Sequence, residues 1–546
     1  MPMASEEILQ KTLKNADGKP FQKYKGLQNN FVLENYEIIF DDIQNDRAGH
    51  TAMRVRVPHK KAGFPADMYD TKKREIALRD LIARRFREAA RTHARSPIPK
   101  TSGGEVYIPR PGQEILERGS IAITQYFVEA RFTVDLPADG NKVSAMAMNL
   151  LLERIDRIVS ESMYFSAYKQ SKVYNHLQTY ENAEFIRENL KSKGLVAFIA
   201  DGAVLPRRDD DLAPMIDAVP FSCSDDLRVI FDVPYGEPVA GAGIPKGFTV
   251  ISGNSRSGKS TLMDAVYAGV YDHIPGDGRE YVITSPDAAF IISEPNRPAD
   301  SVDISAFVKG TPEFEDTASA KREFVSSPMS ELLSVSEAVE MGSELLLVDE
   351  EFSNPCVLRK GFLAEDEKIT PLSDLGHSMG EAGVSMIMIS GDESAIRSAD
   401  TVLVMKDHRL SKTEMQRKAS DAQFSRPAVR HPVSKGIVYQ KGHRDVNVNA
   451  QEIRTIEIGE FKVHVPTAAF FDISQTDAAA DAVAMMKDLM DGSKSMKEVC
   501  ESVIAMMKAE DDSTENGSGM HHAQIRAIDL ASVVNRHPQM LAIQKR

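Results

Sequence analysis

Phe248-Thr249-Val250-Ile251-Ser252, followed by Gly253-Asn254-Ser255-Arg256-Ser257-Gly258-Lys259-Ser260-Thr261, decides how this chain is read. A β-branched apolar run leads into a loop spaced G-x-x-x-x-G-K-[ST]. An apolar-periodic stretch (Leu262, Met263, Ala265, Val266) then predicts a helix. In that order, the glycines let backbone N–H groups wrap around α- and β-phosphates. Lys259 is placed to reach the β- and γ-phosphates and Ser260 to hold Mg²⁺, while the helix N-terminus adds partial positive charge. Residues 253–261 are expected to bind a nucleoside triphosphate. The alternative is a chance Gly-rich turn, and the strand before and helix after the loop argue against it.

A matching acidic strand lies downstream, in Glu344-Leu345-Leu346-Leu347-Val348-Asp349-Glu350-Glu351. A short apolar run ending in carboxylates reads as a buried parallel strand. Asp349 is expected to bind Mg²⁺ through its water shell, and Glu350 to polarise the attacking water. The interval between loop and acids, with a helix over Ser334 to Met341 preceding the acids, fits the ABC branch of P-loop proteins. Simple nucleotide kinases usually lack that Glu. The expected fold class is α/β: an ABC-type P-loop core, a mixed α+β N-terminal domain and a small α+β C-terminal extension.

The chain has 546 residues, 42% hydrophobic and 27% charged, ordinary for a globular protein of several domains. Its net charge of −14 does not advertise nucleic acid, so any such site must be a local basic patch. No apolar run approaches the roughly 18 residues of a membrane span, and no membrane partner is expected. Cys223, Cys356 and Cys500 are scattered without metal-ligand spacing, which points to a reducing compartment and no zinc site. The N-terminus shows neither an apolar signal core nor an Arg-rich, acid-poor presequence, so cytoplasm is the default.

Three regions are expected: 1–220, 221–412 and 413–546. In the first, Phe31 to Phe40 and Thr51 to Val57 alternate as strands, and Lys72 to Ala94 reads as a long helix. Ser120 to Leu136 looks strand-rich, Ala145 to Lys169 looks helical, and Arg207 to Asp211 reads as a solvated charged turn. The second alternates strand and helix as a parallel sheet does. The third holds a strand pair around Arg454 to Val465, a helix from Asp477 to Met490, and an acidic stretch, Ala509 to Gly519, expected to be disordered. The basic helix carries Arg84, Arg87, Arg91 and Arg95 opposite an apolar stripe (Ile76, Leu78, Leu81, Ile82, Phe86). Arrayed guanidiniums suit phosphate backbones, since each forks onto two oxygens. A merely solvated helix face explains the same pattern.

Ile244-Pro245-Lys246-Gly247, the stretch Gly269 to Glu280 (GVYDHIPGDGRE) and Val302-Asp303-Ile304-Ser305 resemble the family known as predicted ATPases of the ABC class. So do Arg54-Val55-Arg56-Val57-Pro58, Val128-Glu129-Ala130-Arg131-Phe132, Gly194 to Phe198 and Asp400-Thr401-Val402, giving a likeness over residues 20 to 410. That family includes a trypanosome mitochondrial ATPase of RNA editing that binds RNA through its N-terminal region. The resemblance therefore implies ATP and Mg²⁺ as ligands, RNA as a partner for the basic helix, and a mitochondrial alternative to the cytoplasm. It also implies a homodimer with ATP clamped between protomers.

In such dimers a signature turn of one protomer faces the phosphate loop of the other. Val325-Ser326-Ser327-Pro328-Met329-Ser330-Glu331 stands where family members carry Ser-Gly-Ser-Thr-Ser-Gln. Ser326 and Ser330 remain as expected phosphate contacts, while Pro328 deletes a backbone donor and Glu331 is expected to repel a γ-phosphate. Ser390, in Ser390-Gly391-Asp392, occupies the position of the usual switch histidine. Tyr235 and Phe231 are the candidates for stacking on adenine, and His273 reads as structural, with the roles of Asp277 and Arg279 open. The combined expectation is an ATP-hydrolysing clamp on RNA. A hydrolysis-deficient scaffold is one alternative; a small-molecule kinase is another, for which only Arg279 and Arg297 offer lid cations.

Overall fold

The computed structural model describes residues 4–46, 48–94, 101–208, 212–359, 368–433, 440–441, 444–445, 448–466, 470–513 and 519–545. The chain divides into two compact units, Met1–Tyr180 with Met506–Gln524, and Glu181–Ala505 with Ile525–Arg546. The boundary falls at 180 rather than near 220, and the segment after 413 is shared between the units. Among the described residues, no helix is long and apolar enough to cross a membrane.

The first unit is built on an antiparallel sheet. β1 (Glu37–Asp42) pairs with β2 (Thr51–Pro58), which pairs with β3 (Phe127–Val134). Arg54, Arg56, Glu129 and Arg131, noted above as family-like, form one cross-strand ion network. Arg56 Nε lies 2.6 Å and Arg131 Nε 2.7 Å from Glu129, and Arg54 Nε donates to Asp41 at 2.7 Å. Arg131 also donates to the carbonyls of Asp511 (2.6 Å) and Ser513 (2.7 Å), which ties the 506–524 segment into this unit. Of the acidic stretch 509–519, Asp511 ends a helix (Met496–Asp511) and 514–518 lie outside the described residues. Helix α1 (Lys72–His93) starts at Thr71, whose side chain accepts from Arg74 N, as N-cap threonines do. Leu78, Ile82 and Phe86 recur on one face and are fully buried. Helix α2 is shorter than the sequence suggests, Ala145–Ser162.

In the second unit the strands, in chain order, are β4 (Leu195–Ala200), β5 (Ser222–Cys223), β6 (Arg228–Phe231), β7 (Val239–Pro245) and β8 (Phe248–Ser252), the last followed by α3 (Lys259–Ala268). Then come β9 (Val282–Thr284), β10 (Ala289–Ile291), α4 (Ser327–Glu340), β11 (Leu345–Asp349), β12 (Ser385–Ile389), β13 (Thr401–Lys406) and β14 (Arg409–Thr413). The main sheet has the order β5-β14-β13-β8-β12-β11-β10, with β13 and β14 its antiparallel pair. A second, antiparallel sheet runs β6-β7-β4-β9. Because β4 pairs with β7 and β9, residues 181–200 belong here and not with the N-terminal domain.

Every residue of β11 and β12 is buried, as strands covered on both faces must be. One face packs Phe248, Val250, Leu346, Val348, Met386 and Met388 against Leu332 and Val335 of α4. Each such side chain contributes about 1.5–3 kcal/mol by leaving water. Helix α4 begins seven residues before the expected Ser334, because Pro328 is tolerated in a first turn. Beyond β14, strands Thr455–Ile458 and Phe461–His464 form the expected pair, and the helix there is Ile473–Met486.

Candidate nucleotide-binding site

The loop of residues 253–258 sits at the carboxyl end of β8, the central strand of the main sheet, where parallel sheets present their ligands. Two glycines are required there. Gly253 has φ 150°, and a Cβ on it would fall 2.2 Å from the Met405 carbonyl oxygen. Gly258 caps α3 with φ 95°, a left-handed conformation. Arg256 also adopts a positive φ of 62°. Asn254, Ser255 and Arg256 are exposed. Lys259, Ser260 and Thr261 form the first turn of α3, whose amides lack helical acceptors. Lys259 Nζ folds back on the carbonyls of Gly253 (2.9 Å) and Asn254 (3.0 Å), bracing the loop. Ser257 Oγ is buried without a hydrogen-bond partner, a donor open to a phosphate oxygen.

The acids converge on the same end. Asp349 closes β11, and Ser260 Oγ hydrogen-bonds toward it and lies 3.3 Å from Glu351 Oε2. Burial raises the Asp349 carboxyl above its ordinary range, and the charges of Glu351 and Glu350 add to the rise. Asp264 on α3 is pushed up likewise, by burial and then by Asp349 and Glu351 against Arg279. Crowded carboxylates beside a serine hydroxyl fit Mg²⁺. Among the described residues no preformed cage of three ligands exists, and Mg²⁺ does not need one, since waters and phosphates fill its shell. Glu350 is exposed, and its Oε2 accepts from Gly391 N at 2.9 Å. Ser390, just after β12, is buried, and its Oγ accepts from Asp392 N at 3.1 Å. Thus β12, lying between β8 and β11, sets Ser390-Gly391 between the loop and the acids.

The signature turn differs from expectation. Ser326 is exposed as the N-terminal flank of α4, with its N and Oγ both bonded to Glu313 at 2.6 Å. Ser330 is fully buried: its Oγ donates to the Ser327 carbonyl (2.7 Å) and accepts from Glu294 N (2.9 Å). Its hydroxyl is spent on bonds within the fold. Glu331 is likewise fully buried, with Oε2 accepting from Asn354 N at 2.7 Å. It does not project toward a γ-phosphate, and burial pushes its carboxyl up to about 7. The sequence placed both on the surface, because helical phase alone does not reveal which side of α4 meets the turn after β11.

Of the two candidates for adenine stacking, Phe231 is used in the core, and Tyr235 is held through its backbone. Phe231 is buried edge-on against Phe198, with ring centroids 4.9 Å apart. Tyr235 lies in the β6–β7 turn, its backbone N and carbonyl both held by the Asn182 side chain.

On α1 the four expected arginines separate. Arg84 is absorbed by structure: its Nε donates to buried Asp80 at 2.6 Å, and Nη2 to the Glu114 carbonyl at 2.7 Å. It is not available to a phosphate backbone. Arg87 instead feels the charges of Arg91 and of Arg110, which lies in the loop after α1 and off the helical stripe that the sequence reading followed. Burial and then the charges of Arg110 and Arg91 lower the Arg87 pKa. Arg95 lies outside the described residues.

Three family models match in succession: "ATPase of the ABC class N-terminal" over residues 6–166, the P-loop domain of ABC ATPases over 169–440, and "MRB1590 C-terminal domain" over 447–542. The chain belongs to the ABC-class ATPases. It is 28% identical over 243 residues to the uncharacterized protein MJ1628 of Methanocaldococcus jannaschii, a match covering 42% of this chain and 54% of that protein. The chain thus spans about half the length of the curated relative it matches. Among solved structures it is similar to a metal-chelate type ABC transporter in an inward-facing conformation (16% identity, TM-score 0.26, 40% of this chain and 83% of that one). It is also similar to the ATP-binding cassette MJ1267 in its ADP conformation (13% identity, TM-score 0.25, 40% and 89%). This ABC-class ATPase has the α/β P-loop fold expected from its sequence.

Proposed function

We propose that this protein binds and hydrolyses ATP with Mg²⁺, acting as a homodimeric, nucleotide-dependent clamp on RNA. The observation that carries the reading is the gathering of Lys259, Ser260, Asp349 and Glu350 at the carboxyl ends of β8, β12 and β11. Residues 253–261 hold the triphosphate, and Lys259 leaves its loop carbonyls to neutralise the β- and γ-phosphates. Ser260 and Asp349 hold Mg²⁺, which supplies charge neutralisation at the phosphates. Glu350, restrained by Gly391 N, accepts a hydrogen bond from the attacking water, and Ser390 steadies the Gly391 turn. Exposed Phe324 (59%) and Phe352 (47%) flank α4 and the acidic turn, apolar surface of the kind partner protomers cover.

For RNA, the support is the like-charged trio Arg87, Arg91 and Arg110, whose mutual repulsion a phosphate backbone relieves. Steady-state ATP hydrolysis with and without RNA tests the whole reading; turnover that RNA leaves unchanged removes the RNA clause. A hydrolysis-deficient scaffold is the second reading. It is favoured by the burial of Ser330 and by Pro328, which leaves α4 one first-turn amide short. The kinase alternative loses its lid cations: Arg297 is buried on Glu337 at 2.6 Å, and Arg279 on the Leu205 carbonyl at 3.0 Å.

A further inference from the structure

The loop and its acids account for a triphosphate, and Phe231, one of the two expected stacking aromatics, is buried against Phe198. The two ends of the site differ. Ser390, Asp349 and Glu350 stand on the β12–β11 side of β8, so the terminal phosphate belongs there. On the opposite side of β8 run β13 and β14, joined by the two-residue turn Asp407–His408. Both turn residues have positive φ (49° and 62°), the conformation that a two-residue hairpin of this twist demands. This turn carries the imidazole of His408 over the phosphate loop: a Cβ placed on Gly258 would lie 3.1 Å from His408 Nδ1. His408 is exposed. A cavity there is lined by His408, Met405, Gly258 and Thr261 together with Pro206 and Val219.

The stretch through Leu205 and Pro206 is tied by hydrogen bonds to residues 277–279. Val204 N donates to the Gly278 carbonyl at 2.8 Å, and Arg279 Nε donates to the Leu205 carbonyl at 3.0 Å. Arg207, next to Pro206, reaches Asp277 through Nη2–Oδ2 at 2.6 Å and its carbonyl at 2.8 Å. Asp277 lies 2.8 Å from the buried His273 Nδ1. The residues of the 269–280 stretch whose roles the sequence left open thus fasten one wall of this cavity. Arg207 is not the solvated turn residue it resembles. Val219, which lines the cavity, is 56% exposed although aliphatic.

We propose that this cavity is the base subsite of the nucleotide, with the His408 ring stacking on one face of the nucleobase and Pro206 and Val219 covering the other. The assignment rests on the triphosphate reading of residues 253–261 and adds the residues that hold the base. A triphosphate lying along the loop with its terminal phosphate at Lys259 directs its nucleoside to this side of β8. An imidazole offers any base a π-face, and aliphatic side chains on the other face exclude water.

Binding of ATP and of inorganic triphosphate, each with Mg²⁺, to the full chain separates the two readings. His408→Asn removes the ring but keeps a residue that accepts the left-handed turn. ATP affinity should fall about 5- to 150-fold, the range of base–aromatic stacking, while inorganic triphosphate affinity stays at the parental value. Equal losses for the two ligands, or none for ATP, overturn the base subsite and leave the phosphate site standing. A parent that binds neither ligand overturns the triphosphate reading and the subsite with it. The chain has no tryptophan, so Val219→Trp gives a single reporter in the wall. ATP should change its emission and inorganic triphosphate should not; identical responses overturn the proposal.

Discussion

Glu331→Gln should stabilise the protein, and only at neutral and alkaline pH. The Glu331 side chain is fully buried at the start of α4, where it meets the backbone donor Asn354 N and the Ser353 hydroxyl. Burial raises its carboxyl from the ordinary 4.5 to about 7. The native state therefore holds a proton that the unfolded chain releases. Stability from this group is fully present below pH 4.5 and is lost as pH rises through about 7. At about 1.4 kcal/mol per pH unit, the whole loss is on the order of 3 kcal/mol. Gln resembles the protonated acid in shape and keeps an acceptor for Asn354 N, so variant and parent should melt alike near pH 5. By pH 8.5 the variant should lead by about 6 °C, at roughly 2 °C per kcal/mol for a unit this large. Calorimetric Tm values from pH 5 to 8.5 check this. Parallel curves, or a variant less stable at pH 8.5, would refute the buried-acid account and return Glu331 to the surface.

Lys259→Ala should weaken ATP binding by about 1.5–3 kcal/mol, read by equilibrium dialysis, because the cation placed for the β- and γ-phosphates is lost; unchanged affinity sinks the phosphate-loop role. Glu350→Gln should retain ATP, stop turnover and favour an ATP-bound dimer on size exclusion, and a variant as fast as the parent moves catalysis elsewhere. Replacing Arg87, Arg91 and Arg110 together by Gln should flatten the slope of log K for single-stranded RNA against log salt by about two, at roughly 0.7 per contact. Arg84→Gln should instead lower thermal stability, since it takes from the buried Asp80 its nearest cation and leaves it Arg118 at 3.4 Å and His176 at 3.3 Å, and should leave that slope in place.

The sequence by itself determined the centre of this protein. Strand, glycine loop and helix over 248–268, and the acidic strand ending at Asp349, are local patterns whose periodicity and loop chemistry leave few alternatives. The length of α1 was equally legible from its apolar stripe. Which polar residues on such elements face solvent was decided only by tertiary structure. Arg84 and Arg87 look alike along α1, yet the carbonyls of Gly112 and Glu114 and the buried Asp80 claim the first. The second meets the charge of Arg110 from the loop that follows α1. Ser330 and Glu331 read as surface residues until α4 packs against the turn after β11. His408 carries no motif at all. Its position over Gly258 follows from a two-residue hairpin between strands lying beside β8, and strand order is a long-range property that no local pattern encodes.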